Sequence, residues 1–140
     1  MSAHLQQFAE RFARLDSNRL HELENLYSDD IIFRDPFHEI QGLEALRAYF
    51  AQLYENAHDI RYTFCDAHEV LSGQGYLRWT LQFRNPRLAR NRPVSLQGCS
   101  YLRWCERVHF HQDYFDAGAL LYEHLPIMGS AIRWLKGRLA

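Results

Sequence analysis

The densest run of titratable groups in the chain is His109-Phe-His111-Gln-Asp113-Tyr-Phe115-Asp116. Side chains alternate along a strand, so His109, His111, Asp113 and Phe115 share one face and Phe110, Gln112 and Tyr114 the other. A carboxylate two residues from an imidazole on one face orients it and keeps it basic, as acid–base chemistry requires. The competing reading is a polar pair satisfying itself at a sheet edge, and one residue of register slip would turn the whole face to solvent. His-x-His on a strand also sets two imidazoles side by side as metal ligands, with His38 or Asp35 as a third, a reading that ranks below proton transfer. Asp35, followed by Pro36, is the second acidic candidate. A carboxylate facing an apolar cavity has its charged form disfavoured by desolvation, which suits it to proton transfer. An Asp before Pro also simply ends a strand in many folds.

The rest of the chain narrows the chemistry. Its 140 residues are one domain's worth, and 47% apolar residues with 3 Trp, 8 Tyr and 9 Phe describe a folded protein with a large apolar interior or pocket. Charges nearly balance at a formal −1, so no global field gathers nucleic acid. The start lacks a basic segment followed by a long apolar run, and no stretch nears the roughly 20 apolar residues that cross a bilayer, so a cytoplasmic location is expected. Cys65, Cys99 and Cys105 are odd in number without CxxC spacing, which points to reduced packing residues. There is no phosphate-binding glycine loop, no nucleophile elbow and no reactive cysteine context. The Arg84–Arg92 arginines read as a solvated basic turn.

Elements that must carry these residues follow from periodicity. Leu5, Phe8, Phe12 and Leu15 mark a first helix ending near Asp16-Ser17-Asn18. Leu20, Leu23, Leu26 and Tyr27 mark a second helical segment from Arg19 to Tyr27, closed by Ser28-Asp29-Asp30. Ile31 to Arg34 reads as a short strand ended by Pro36, and Gly42 precedes a third helix through Leu43, Leu46, Tyr49, Phe50 and Leu53. After Asn56 the period becomes 2. Ile60 to Phe64, Leu77 to Phe83, Val94 to Trp104 and Val108 to Phe115 form four long strands, with a hairpin at Ser72 to Gly75 and an exposed loop at Asn85 to Pro93. Helices before a run of strands give an α+β fold with the sheet's apolar face on the helices. From Ala117 to Ala140 helical spacing returns, with Ile127, Met128, Ala131, Ile132, Leu135 and Leu139 on one face. That tail helix is expected to pack on its own domain or a second subunit, with a membrane contact anchored by Trp134 as the lesser reading.

The segment Leu26-Tyr-Ser-Asp-Asp-Ile-Ile-Phe-Arg-Asp-Pro-Phe37, followed by Gly42 and the helix beyond it, resembles the nuclear-transport-factor-2-like superfamily, in particular ketosteroid isomerase and the SnoaL-like polyketide cyclases. The resemblance runs from about Leu5 to Asp116 and implies a single domain over 1–140. It implies a cone: a strongly curved, mostly antiparallel sheet wrapped by N-terminal helices, with a deep apolar cavity and an extra C-terminal helix. The Asp of the Asp-Pro pair is the general base of ketosteroid isomerase, and Asp35 takes that position. The oxyanion-holding Tyr and second acid of that enzyme fall near Arg11 and Ser100, which disfavours steroid isomerisation itself. Pocket histidines work with a carboxylate in scytalone dehydratase of the same superfamily, as His111 and Asp113 would here.

The resemblance thus implies a cofactor-independent enzyme, without metal, of isomerase, cyclase or dehydratase type, acting on an apolar carbonyl- or hydroxyl-bearing small molecule. Asp35 would be the base, His111 the acid or oxyanion donor, and Asp113 the group that orients His111. Phe12, Leu15, His38, Tyr49, Phe50, Trp79, Leu81, Leu96, Ser100 and Phe115 would contact the substrate. The alternative is a non-catalytic module that binds a hydrophobic ligand or assembles as a dimer. A homodimer through the outer sheet face is expected in either case.

Overall fold

A computed structural model of the chain describes residues 3–118 and 128–139. Helix α1 (Ala3–Ala13) buries Leu5, Phe8, Ala9 and Phe12, the face that the three- and four-residue spacing picks out. Full burial of each large side chain on that face contributes about 1.5–3 kcal/mol. Where one helical segment is expected over Arg19–Tyr27, the chain forms a 3-10 turn (Leu20–Glu22) and a four-residue helix α2 (Leu23–Leu26). Tyr27 is instead the first residue of β1 (Tyr27–Arg34), because it pairs with Val108 across the sheet. Ser28-Asp29-Asp30 therefore lies within the strand, at a register shift between Tyr27 and Ile32, and does not close a helix.

A short strand β2 (Glu39–Gln41), absent from the sequence expectation, pairs with the end of β1. Gly42 follows at φ 92°, a conformation that favours glycine, and leads into α3 (Leu43–Asn56). The four long strands are β3 (His58–Leu71), β4 (Gln74–Arg84), β5 (Val94–Trp104) and β6 (Val108–Phe115). The sheet order is β2-β1-β6-β5-β4-β3. Every pairing is antiparallel except β1 with β6, the chain's return to its first strand. This is the expected α+β fold, a curved sheet that does not close on itself, with α1 against β3 and β4 and α3 against β1.

Register decides which residues meet on the inner face. Phe33 of β1 lies opposite His111, which also lies opposite Leu102 of β5. Asp113 opposes Ser100, and Trp79 of β4 opposes Gly98. A Cβ at Gly98 would sit 2.3 Å from the Trp79 ring, so the glycine is what lets the indole lie across β5. Trp104, at the end of β5, is 8% exposed and stacked on His4 of α1 with ring centroids 4.8 Å apart, which makes it core.

Helix α4 (Met128–Leu139) occupies part of the expected tail helix, and Ile127 lies outside the described residues. Trp134 and Leu139 remain 61% and 88% exposed, so these two do not bury against their own domain. Asp116, just after β6, pairs with Lys136 of the helix. No helix of the described residues is long and apolar enough to cross a membrane.

Candidate active site

Asp35 sits where β1 gives way to a tight turn. Its Oδ1 accepts the backbone N–H groups of Phe37 at 2.8 Å and His38 at 2.7 Å, while its own N–H donates to the His38 carbonyl at 3.0 Å. Asp35 therefore does what the simpler reading of Asp-Pro proposes, organising a turn. It also does more. Its Oδ2 accepts the Tyr49 hydroxyl at 2.8 Å from α3, and His38 Nδ1 lies 3.2 Å from Oδ1. The Asp35 side chain is 5% exposed, whereas that of His38 is half exposed at the rim. Burial first, and then the Asp35 charge, hold the Tyr49 hydroxyl far above its usual pKa, so it stays protonated as a donor.

Asp113 is held by partners far apart in sequence. His111 Nε2 lies 2.7 Å from its Oδ1, and the Ser100 hydroxyl donates to the same oxygen. Trp79 Nε1 donates to Ser100 Oγ at 2.8 Å. On the other side of the imidazole, Tyr27 Oη lies 2.8 Å from His111 Nδ1. Burial raises the pKa of Tyr27 well above that of a free phenol, so its hydroxyl keeps its hydrogen. With the Tyr27 hydroxyl donating to Nδ1, the other ring nitrogen presents Nε2–H to Asp113. The carboxylate then spends Oδ1 on two donors, and Oδ2 takes no hydrogen bond from any described residue.

Both carboxylates reach one cavity of about 280 Å³. Its walls are aromatic and aliphatic: Phe33, Phe37, Tyr49 and Phe50 on the β1 and α3 side, Tyr62, Trp79, Leu81 and Phe83 from β3 and β4, and Leu96 and Phe115 from β5 and β6. Asn56, Asn85 and Leu88 stand with them. Tyr62 is the polar group that sequence reasoning passed over. Its hydroxyl has no hydrogen-bond partner among the described residues, and burial together with the nearby Asp113 charge keeps it protonated. The signal was present in the alternation Ile60, Tyr62, Phe64, which puts Tyr62 on the inward face.

Of the expected site residues, Asp35, His38, Tyr49, Phe50, Trp79, Leu81, Leu96, Asp113 and Phe115 line this cavity. His111, Ser100, Phe12 and Leu15 do not. His111 is 2% exposed behind Asp113, with both ring nitrogens engaged, so it does not reach a ligand as an acid or oxyanion donor. Of the pair, Asp113 lines the cavity and His111 lies behind it, hydrogen-bonded to its Oδ1. Ser100 is buried under the Trp79 indole, and Phe12 and Leu15 belong to the core beneath α1. His109 also departs from the expected face. Trp104 pairs with Val108 and Arg103 with Phe110, so His109 is the extra residue of a bulge. It sits near Asp30 and not beside His111. That separates the His-x-His pair of the metal reading, and no group of three metal-ligating side chains occurs among the described residues.

With the fold and the cavity in view, comparison with known proteins gives one family. A model of the SnoaL-like domain matches residues 5–108. The chain belongs to the SnoaL-like family. The match stops at the first residue of β6, before His111 and Asp113. Among solved structures, a SnoaL-like polyketide cyclase of Shewanella putrefaciens CN-32 is 16% identical at a TM-score of 0.72, over 86% of this chain and 94% of that one. A protein with a ketosteroid isomerase-like fold from Catenulispora acidiphila DSM 44928, in complex with trimethylamine, is 15% identical at 0.71, over 86% and 91%. An M. tuberculosis epoxide hydrolase of the LEH-like type is 15% identical at 0.69, over 86% and 87%. These likenesses show the fold that the SnoaL-like chain shares. No curated protein matches it.

Proposed function

We propose that this SnoaL-like chain is an acid–base enzyme that moves a proton on an apolar, carbonyl- or hydroxyl-bearing small molecule held in the cavity. The observation that carries the reading is the state of Asp113: one oxygen is held by His111 and Ser100, and the other is open inside an apolar cavity. A carboxylate fixed in one rotamer and poorly solvated on its open side is a competent acceptor for a proton on carbon next to a carbonyl. The negative charge that then develops on the carbonyl oxygen requires a hydrogen-bond donor, and the unpartnered Tyr62 hydroxyl supplies one. Asp113 returns the proton at a neighbouring atom, which completes an isomerisation or prepares a ring closure or elimination. Asp35 with Tyr49 forms the second polar pair of the same wall. All of its neighbours donate to it, so it suits charge stabilisation and orientation better than the base role its Asp-Pro position implies.

The test is deuterium uptake, followed by NMR, at carbons adjacent to the carbonyl in a panel of apolar ketones incubated with the enzyme in heavy water. Enzyme-dependent exchange on any member, lost in Asp113→Asn, supports proton transfer. Binding of panel members without exchange favours the alternative, a module that only holds its ligand.

A further inference from the structure

We infer that the ligand of this cavity is an organic cation, an apolar body carrying a protonated or quaternary amine. The inference deepens the proposed reading by naming the substrate class, and it rests on the cavity being the substrate site. Two carboxylates, Asp35 and Asp113, face the cavity, and no Lys or Arg lies among its described lining residues. The one basic group in the lining is the His38 imidazole, half exposed at the rim and already turned to Asp35. Two backbone N–H groups and the Tyr49 hydroxyl, all uncharged donors, satisfy the hydrogen-bonding needs of Asp35. His111 and the Ser100 hydroxyl hold one oxygen of Asp113 and leave the other open. The cavity therefore holds negative charge against apolar walls, and a neutral ligand filling it would strip water from both carboxylates without replacing the lost solvation.

The walls around Asp35 are built for a cation. Phe33, Tyr49, Phe37 and Phe115 line the cavity with it, with Phe33 and Tyr49 ring centroids 5.8 Å apart and those of Phe37 and Phe115 5.9 Å apart. The Tyr49 hydroxyl donates to the carboxylate, so the tyrosine ring and the charge belong to one surface. Aromatic faces beside a carboxylate attract an ammonium through the ring quadrupole as well as through the full charge. In the same lining, the Asp113 Oδ2 and the Tyr62 hydroxyl take no hydrogen bond from any described residue and are left for the reacting part of the ligand. The cation thus sits against Asp35 and the Tyr49 ring, and the carbonyl or hydroxyl against Tyr62 and Asp113.

Paired probes of equal shape test this without turnover: cyclohexylmethylamine and cyclohexylmethanol, titrated into the protein and followed by NMR at neutral pH. The amine is expected to bind at least about 10-fold more tightly than the alcohol, with an advantage that shrinks as salt is added. Asp35→Asn should remove most of that preference. Phe37→Leu, which leaves both carboxylates in place, should weaken the amine about 2–5-fold and leave the alcohol unchanged. Equal or tighter binding of the alcohol, an amine preference that survives Asp35→Asn, or no amine binding at about 10 mM would each overturn the inference. Amine-selective binding with no carbon–hydrogen exchange on any substrate would keep the inference and remove the enzymatic reading.

Discussion

The two carboxylates of the cavity are held in opposite ways. Asp35 is fixed by its own turn, through the N–H groups two and three residues ahead, and by one tyrosine from the next helix. Asp113 is fixed by residues drawn from β1, β4, β5 and β6: Tyr27 through His111, and Trp79 through Ser100. The local arrangement surrounds its carboxylate with donors. The long-range one grips a single oxygen and leaves the second to the cavity. A carboxylate can thus be nearly buried for two reasons, and only the second kind of burial leaves an oxygen ready to take a proton.

That contrast sets the order of the expected effects. Asp113→Asn should lower exchange on a turned-over ketone by about 10²–10⁴-fold with the fold retained, while Asp35→Asn should lower it less and also loosen the β1–β2 turn. Steady-state rates and thermal melts of the two variants separate these outcomes, and equal kinetic losses would break the distinction. Tyr62→Phe removes a hydroxyl that bonds to no described residue, so turnover should fall by about 10²-fold while the melting temperature stays within error. A melting temperature that drops with it would show that the hydroxyl is structural.

His111→Phe sharpens the comparison from the other side. It strands the Tyr27 hydroxyl and removes a donor from Asp113, and each buried polar group left unpaired costs about 1–3 kcal/mol. Denaturant unfolding should show that loss, and turnover should fall with it even though His111 touches no ligand. A smaller effect is expected in alkali. The hydroxyls of Tyr27, Tyr49 and Tyr62 are held well above the usual value of 10.0, and that of Tyr54 is pushed up to about 12 by burial. In each case the folded state holds its proton more tightly than the unfolded chain. Stability is therefore full below pH 10 and declines as pH rises toward 12 and beyond. Phenolate absorbance from these four tyrosines should appear together with unfolding; ionisation of all eight tyrosines in a still-folded protein would contradict this.

Much of this arrangement was legible in the sequence, and the gaps have physical causes. The helical stripe of α1 and the period-2 strands are local patterns, so the α+β class followed from them, while the curved cone and the place of Asp35 followed from the family resemblance of the Asp-Pro segment. That His111, Asp113 and Phe115 share a face of β6 also followed from alternation. What alternation cannot supply is depth along that face. Leu102 and Phe33 flank His111, which is buried, whereas Asp113 lines the cavity. The bulge that turns His109 aside depends on how Trp104 and Val108 pair across strands, a long-range match invisible to local periodicity. Strand β2 is three residues long and owes its existence to the Asp35 turn that folds it back on β1. Tyr62 was legible and was passed over, since its partnerless hydroxyl becomes notable only beside Asp113.

The most direct test of the account is a crystal structure with a planar phenol bound, as a mimic of the enolate that proton removal would form. The account predicts the phenol oxygen on the Tyr62 hydroxyl and the ring edge against Asp113 Oδ2, at about 2.6–3.2 Å for the hydrogen bond. A phenol oxygen bound to the Asp35–Tyr49 pair, with Asp113 Oδ2 left untouched, would contradict it and return the base role to Asp35.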